Sequence, residues 1–259
     1  MKIFGRPPRR LLRALAGGAA YAAVLRSLRV YRAPVEGFVR YVFLTGDYPV
    51  DFAIRTDAGP REVRLYSAAD FKTLNEVFCR LDYPCTGRER VIVDIGANIG
   101  VASLRFLTRC PDARVILFEP DPRNVARLRT QLRGFEDRYE LHEKAVAPVG
   151  GRLSFNTEPS GRLGTLMEPH WHENDLEVIE VDAVGVGEAL ADVIARYGDV
   201  DILKIDAEGV ERDLIRAVPA ELRPRIACIY AELEGEDELP GHAFEQRGSI
   251  ARYRRREPA

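Results

Sequence analysis

Several things are scarce in this sequence of 259 residues, and each scarcity removes a class of protein. There are four cysteines, Cys79, Cys85, Cys110 and Cys228, with no CxxC pair and no Cys/His ligand spacing. Neither a disulfide framework nor a structural zinc site is indicated, and a reducing, cytoplasmic setting is expected. Long apolar runs are missing too. The candidate nearest the amino terminus, ALAGGAAYAAVL, is interrupted by Gly17 and Gly18 and falls well short of the roughly 20 residues a spanning helix needs. It follows a charged start, as in a signal peptide, but no small-residue cleavage site closes it, so export is not expected. Repeats and low-complexity tracts are absent.

Acidic residues are absent from one place in particular. Residues 1–35 hold Lys2, Arg6, Arg9, Arg10, Arg13, Arg26, Arg29 and Arg32 without a single carboxylate, so an overall charge of −2 conceals a basic arm on an acidic body. Leu11, Leu12, Leu15, Leu25 and Leu28 lie among these arginines. Two readings follow: peripheral contact with an anionic membrane surface, or a helix packed on the main domain with its arginines in water.

What is present is enough apolar content, 46%, for one large α/β domain with a smaller appendage. From about 38 to 66 the text alternates as short antiparallel strands do, with turns at Gly46-Asp47 and Ala58-Gly59-Pro60. Asp70 then stands as an N-cap before Phe71, Leu74, Val77, Phe78 and Leu81 at helical spacing. We read 36–88 as a small N-terminal cap subdomain. From 89 to the end, continuous apolar runs alternate with helical patterns, as in βαβ units around a buried parallel sheet. VIVDI, RVILFE, YELHEKAVA, DILKID and IACIYAELE are the five expected strands, and an excursion is expected at 148–180. Asp121 and Pro122 mark a helix start.

Ligands of such sheets sit beyond the carboxyl ends of the strands, beside the first one. There the turn reads Asp94-Ile95-Gly96-Ala97-Asn98-Ile99-Gly100. A dinucleotide fingerprint wants glycines at 96, 98 and 101, and two of the three are missing. Asp94 would also meet a pyrophosphate with like charge. A cationic nucleoside such as S-adenosylmethionine reverses that sign. Gly96 and Gly100 would allow close backbone approach, and Asn98 tolerates a left-handed conformation. Glu119, at the tip of the second strand, is placed to accept both ribose hydroxyls, a feature that NAD enzymes share.

DIGANIG, LFEPDPRNVARL and DILKIDAEGVERDLI, in this order and spacing, resemble the FkbM family of S-adenosylmethionine-dependent methyltransferases over roughly residues 70–235. The resemblance implies a class I methyltransferase fold: a Rossmann-like, mostly parallel sheet with helices on both faces. It also implies methyl transfer to a hydroxyl oxygen of a sugar or other natural-product scaffold. It carries cofactor binding over to Asp94, Gly96, Ala97, Asn98, Gly100 and Glu119, and makes Glu143, Lys144 and Ala145 an expected adenine wall. The implied acceptor is a small molecule or glycan, not nucleic acid.

An alcohol is a poor nucleophile at neutral pH, so a base or a metal is expected near the methyl group. Period two puts Lys204 and Asp206 on one face of their strand, with Glu208 and Glu211 following. These four are the catalytic candidates. Two of them also have a plainer reading, Lys204 as the neutraliser of Asp94 or Asp206 and Glu211 as the complement of a helix N-terminus. Asp206, Glu208 and Glu211 together offer oxygen ligands for a divalent cation, which is not favoured. His170 and His172 flank Trp171 in the excursion, where a base and a stacking surface are conceivable; solvated loop histidines are commoner. His142 is expected to be structural, and Arg252, Arg254, Arg255 and Arg256 a solvated tail end. The rival classes are an NAD(P)-dependent oxidoreductase and a cofactor-binding module without turnover.

Overall fold

Apolar residues at positions 35, 38, 39, 42 and 43 repeat with the period of a helix, and Pro34 supplies a preset first turn. The computed structural model accordingly has a helix over Pro34–Phe43 where the alternation from 38 was expected to give strand. The described residues are 18–157, 164–165, 177–235 and 238–256. His170, Trp171 and His172 lie outside them. Among the described residues, no helix is long and apolar enough to cross a membrane.

The chain divides into two compact units, Met1–Pro84 and Cys85–Ala259. In the first, α1 (Gly18–Val30) and α2 (Pro34–Phe43) precede the antiparallel hairpin β1 (Val50–Thr56) and β2 (Gly59–Leu65). Helix α3 (Ala68–Asn75) continues into a π-helical turn, Glu76–Arg80. Its N-cap is Ser67, whose hydroxyl accepts from the Asp70 amide at 3.2 Å. Asp70, expected to be the cap itself, sits three residues in and accepts from Tyr66 N at 2.7 Å, a reciprocal arrangement close to a capping box. The unit is centred on Tyr31, which is edge-on to Phe52 and takes a hydrogen bond from Asn75 Nδ2 at 2.9 Å.

The second unit holds β3 (Val91–Ile95), α4 (Val101–Arg109), β4 (Arg114–Phe118), α5 (Pro122–Gln131), β5 (Tyr139–His142), β6 (Ala145–Ala147), β7 (Gly151–Thr157), β8 (Gly164–Thr165), β9 (Glu177–Gly185), α6 (Val186–Tyr197), β10 (Val200–Ile205), α7 (Glu211–Ala217), β11 (Ile226–Glu232), β12 (His242–Arg247) and β13 (Ile250–Arg255). Seven strands form the central sheet in the order β12-β13-β11-β10-β3-β4-β5. β11, β10, β3, β4 and β5 are parallel, and β13 and β12 return antiparallel at one edge. The chain winds outward from β3 toward β5 and then from β10 toward β11. Right-handed crossovers therefore put α4 and α5 on one face and α6 and α7 on the other. All five residues of β3 are buried, which explains why VIVDI shows no alternation. Leu190 and Val193 of α6, Leu214 and Ile215 of α7, and Val93 and Leu203 of the sheet share one apolar cluster.

Two expectations change here. YELHEKAVA is not one strand: the chain breaks at Glu143-Lys144, so β5 closes the central sheet while β6 joins a second sheet, β6-β9-β7-β8. β7 and β8 of that second sheet lie where the excursion was expected. The arginine run at the end is solvated at Arg254, Arg255 and Arg256 as expected, but it belongs to a strand rather than to a tail. Arg252, Arg254 and Arg255 are part of β13, between β11 and β12, and Arg252 lies over the Tyr230 ring. The alternation ARYRR is that of a strand with Ala251 and Tyr253 facing the core.

Candidate functional site

Strand order reverses between β3 and β10, and a cleft opens there beyond the strand tips, enclosing about 670 Å³ of space outside protein atoms, its open mouth included. The turn after β3 gives it Gly96 and Asn98. The end of β4 gives Phe118, Glu119 and Pro120, and α5 gives Asn124. β6 and the residue before it contribute Lys144, Ala145 and Val146, the second sheet Phe155, Thr157 and Thr165, and the loop after β10 Asp206, Ala207 and Glu208.

The turn owes its shape to three left-handed residues, Gly96 (φ 74°), Asn98 (φ 50°) and Gly100 (φ 84°). At Gly96 the requirement is internal: a Cβ would stand 1.9 Å from the Asp206 carbonyl oxygen, so only glycine lets the turn pass the end of β10. The amides of Gly96 and Ala97 both donate to Phe118 O at 3.0 Å, and Asp206 N donates to Ile95 O at 3.1 Å. Three strand ends are thereby joined. Gly100 packs on Leu128 and Ala97 is buried; neither lines the cleft.

Asp94 is fully buried. Its Oδ2 accepts from Ser103 Oγ at 2.6 Å and its Oδ1 from Lys204 Nζ at 2.8 Å. Lys204, only 2% exposed, also donates to Gly96 O at 3.1 Å and lies 3.5 Å from the Asp206 carboxylate. Burial by itself would lower the lysine pKa, but the charges of Asp94 and Asp206 outweigh it and hold the ammonium above the ordinary lysine range. Asp94 and Lys204 thus form the floor under the turn, and neither belongs to the cleft wall. Asp206 does, with its side chain 29% exposed.

Glu119 is different. It lines the cleft and is nearly inaccessible, and neutral groups hold it: Asn98 N donates to Oε2 at 2.8 Å and Asp121 N to Oε1 at 3.0 Å. Asn124 Nδ2 adds a longer contact of 3.4 Å. Burial pushes its pKa up to about 7 against the pull of these donors.

Of the remaining candidates, Lys144, Ala145 and Glu208 line the cleft. Glu143 points elsewhere, half-exposed and ion-paired with Arg129 at 2.6 Å. Glu211 is buried and accepts from Gly209 N at 3.0 Å, shaping the loop before α7; burial, then the charges of Asp206 and Glu208, raise its pKa to about 7. His142 stacks on Phe118 with ring centroids 4.7 Å apart, backing an apolar part of the wall. Asn124, Phe155, Thr157 and Thr165 were missed. Thr157 Oγ1 donates to the buried Asp121 carboxylate at 2.8 Å, and Thr165 Oγ1 donates to Glu208 O at 2.6 Å, tying the second sheet to the β10 loop. Nothing in their local sequence signals this, because the second sheet reaches the cleft only through tertiary folding.

The acids considered for a divalent cation, a reading not favoured, are not the group that clusters. Among the described residues, Cys85, Glu89 and Cys110 are the group of three whose ligand atoms lie within 4.8 Å of one another; Asp206, Glu208 and Glu211 do not converge so closely. Sequence spacing hid the pairing of Cys85 and Cys110, which are brought together by β3 and α4. Both oxygens of Glu89 already accept from donors, Oε1 from Thr86 N and Oγ1, and Oε2 from Gly87 N, Arg88 N and Cys110 Sγ.

The family model described as Methyltransferase FkbM domain matches residues 94–246. This chain belongs to that family. The match runs from the acid at the end of β3 into β12, so it takes in both the cleft and the antiparallel edge. One relative, the 2-O-methyltransferase NoeI of Sinorhizobium fredii, is 32% identical over 162 residues, covering 58% of this chain and 66% of that protein. Another, the 31-O-demethyl-FK506 methyltransferase FkbM of Streptomyces tacrolimicus, is 27% identical over 187 residues, covering 60% and 72%. The chain therefore spans just under two thirds of NoeI. The crystal structure of Methyltransferase FkbM from Methylobacillus flagellatus KT aligns over 86% of this chain and 49% of that one, at 16% identity and a TM-score of 0.39.

Proposed function

We propose that this FkbM-family chain binds S-adenosylmethionine in the cleft and transfers its methyl group to a hydroxyl oxygen of a sugar or other natural-product scaffold. The observation that carries this reading is the charge of the wall. Glu119, Asp206 and Glu208 line it as acids, against Lys144 as a base. Such a wall repels a pyrophosphate and favours a ligand bearing ammonium and sulfonium charges. The sign argument thus rests on the wall acids rather than on Asp94, whose charge Lys204 balances. The two relatives' names both place the methyl group on an oxygen.

The residues fit the group. Glu119 would accept from the ribose hydroxyls, and Phe118, Ala145 and Val146 would form the apolar bed of the adenine. The Asn98 turn would hold the amino-acid portion. When bound, the cofactor supplies an activated methyl on a positively charged sulfur. The chain's task is to hold the acceptor oxygen in line and to take its proton. Asp206 is the base in this reading: its carboxylate stands on the wall at the end of β10, and a hydroxyl proton would pass to one of its oxygens. Lys204 and Asp94 act beneath it as positioning residues, and Glu211 positions the loop that carries Glu208.

The test has two parts. Titration with S-adenosylhomocysteine and with NADH should show binding of the first alone. Methyl transfer from a labelled donor should then slow by about 10²–10⁴-fold in Asp206→Asn, with S-adenosylhomocysteine affinity changed only slightly. Binding of NADH in preference to S-adenosylhomocysteine would replace this reading by the oxidoreductase one. Cofactor binding without any methylated product in a lysate of the source cells would leave a binding module.

A further inference from the structure

Large apolar side chains stand in water on two neighbouring helices of the first unit. Of the eleven exposed large hydrophobic residues among the described ones, Tyr21, Val24, Leu25, Leu28, Val35, Phe38, Val39, Phe43 and Leu44 fall between 21 and 44, at 39–79% exposure. They are not scattered. Tyr21, Val24, Leu25 and Leu28 occupy i, i+3, i+4 and i+7 of α1, and Val35, Phe38, Val39 and Phe43 form the same kind of stripe on α2. A stripe of this kind normally faces a core. Here the core face is a different one: α1 buries Ala23 and Ser27, and α2 turns Gly37 toward Tyr31, where a Cβ would stand 2.3 Å from the ring. Exposed apolar stripes of this sort mark an interaction site.

The charge around the stripes indicates the partner. Arg29, one helical turn after Leu25, and Arg32, just past the end of α1, are exposed. The sequence up to residue 35 adds six more cations, Lys2, Arg6, Arg9, Arg10, Arg13 and Arg26, and no acid. The first acid, Glu36, is ion-paired with Arg40 at 2.8 Å. Apolar stripes bordered by cations suit an interface with apolar depth and negative headgroups. A second copy of the chain is disfavoured, since a symmetric contact would set two such basic segments against each other. We propose that the exposed face of α1 and α2 docks on the surface of an anionic lipid bilayer. This inference stands apart from the reading of the cleft.

Co-sedimentation of the full chain decides it, with vesicles of phosphatidylcholine alone and of an equal mixture of phosphatidylcholine and phosphatidylglycerol. Binding should be at least about tenfold stronger to the mixed vesicles at low salt, and should weaken as the Debye length falls to about 8 Å at physiological ionic strength. The triple variant Leu25→Ser, Leu28→Ser, Phe38→Ser should lose at least about tenfold in partitioning, each buried methylene being worth about a factor of four. Its thermal melting should match that of the parent, since all three side chains are exposed. Should that variant unfold, Arg29→Gln, Arg32→Gln leaves the stripes intact and should remove part of the salt-sensitive binding. No sedimentation with either vesicle, or equal sedimentation with both, overturns the proposal. So does a dimer in analytical ultracentrifugation that the triple variant converts to monomer, which would assign the face to a second copy.

Discussion

Asp94 and Glu119 stand at the ends of adjacent parallel strands, β3 and β4, and both are almost wholly inaccessible to water. Their partners differ in kind. Asp94 has a cation at 2.8 Å and a hydroxyl at 2.6 Å, whereas Glu119 has backbone amides and a side-chain amide. A carboxylate paired with a buried ammonium acts as a brace: its charge is matched, and its worth lies in holding the turn to the end of β10. A carboxylate held by amides alone has no counter-ion on the cleft wall, and burial raises its pKa further than the amides lower it. Proximity to the cleft does not by itself place an acid on its wall: Asp94 is buried beneath the turn, whereas Glu119 lines the cleft.

The largest effect should come from breaking the brace. Lys204→Met leaves Asp94 buried without its cation and should cost about 3–5 kcal/mol of stability in urea denaturation. The double variant Asp94→Asn, Lys204→Met should recover much of that loss, because two neutral groups replace an orphaned charge. A single variant as stable as the parent would show that the pair does not brace the turn.

Glu119→Gln sharpens the other side. It should weaken S-adenosylhomocysteine binding by about 1.5–3 kcal/mol in calorimetry, the value of a hydrogen bond to a charged group. Melting should fall modestly in the same variant, because the amide nitrogen that replaces one carboxylate oxygen cannot accept from Asn98 N or Asp121 N. If Asp94→Asn had the larger effect on binding in a folded protein, the two acids would have to exchange roles.

The smallest effect is a pH dependence. Glu119 and Glu211 both have pKa values raised from 4.5 to about 7, mainly by burial, so the folded state holds their protons more tightly than the unfolded chain. Their contribution to stability is complete below about pH 4.5 and is lost as the pH rises through 7. Ligand binding should run the other way, because ribose hydroxyls donate to the ionised carboxylate. S-adenosylhomocysteine affinity should increase about tenfold from pH 6 to pH 8, and that slope should flatten in Glu119→Gln. An unchanged slope in the variant would place the titrating group elsewhere.

Much of the fold was readable from local pattern. The strands VIVDI, RVILFE, DILKID and IACIYAELE and the Asp121-Pro122 helix start are recovered, since each depends on neighbours in sequence. Errors arose where local signals compete. Residues 38–43 fit both periods, and Pro34 with the apolar stripe decided for helix. In YELHEKAVA, one apparent strand serves two sheets, and the divergence at Glu143-Lys144 turns Lys144 and Ala145 into the cleft while Glu143 pairs with Arg129 outside it. Of the site, Glu119, Asn98 and Asp206 were in view because strand tips in this topology face one edge. Thr157 and Thr165 were not, because they arrive from strands that pair elsewhere.

Residue order alone determined the βαβ alternation, the left-handed turn and the family, since dihedral preference, periodicity and spacing act over a few neighbours at a time. Which acid is neutralised and which faces the cleft was decided only in three dimensions. Asp94 and Lys204 are 110 positions apart and meet because β3 pairs with β10. Electrostatic energy depends on distance in space and on burial, and neither is written in the order of the residues.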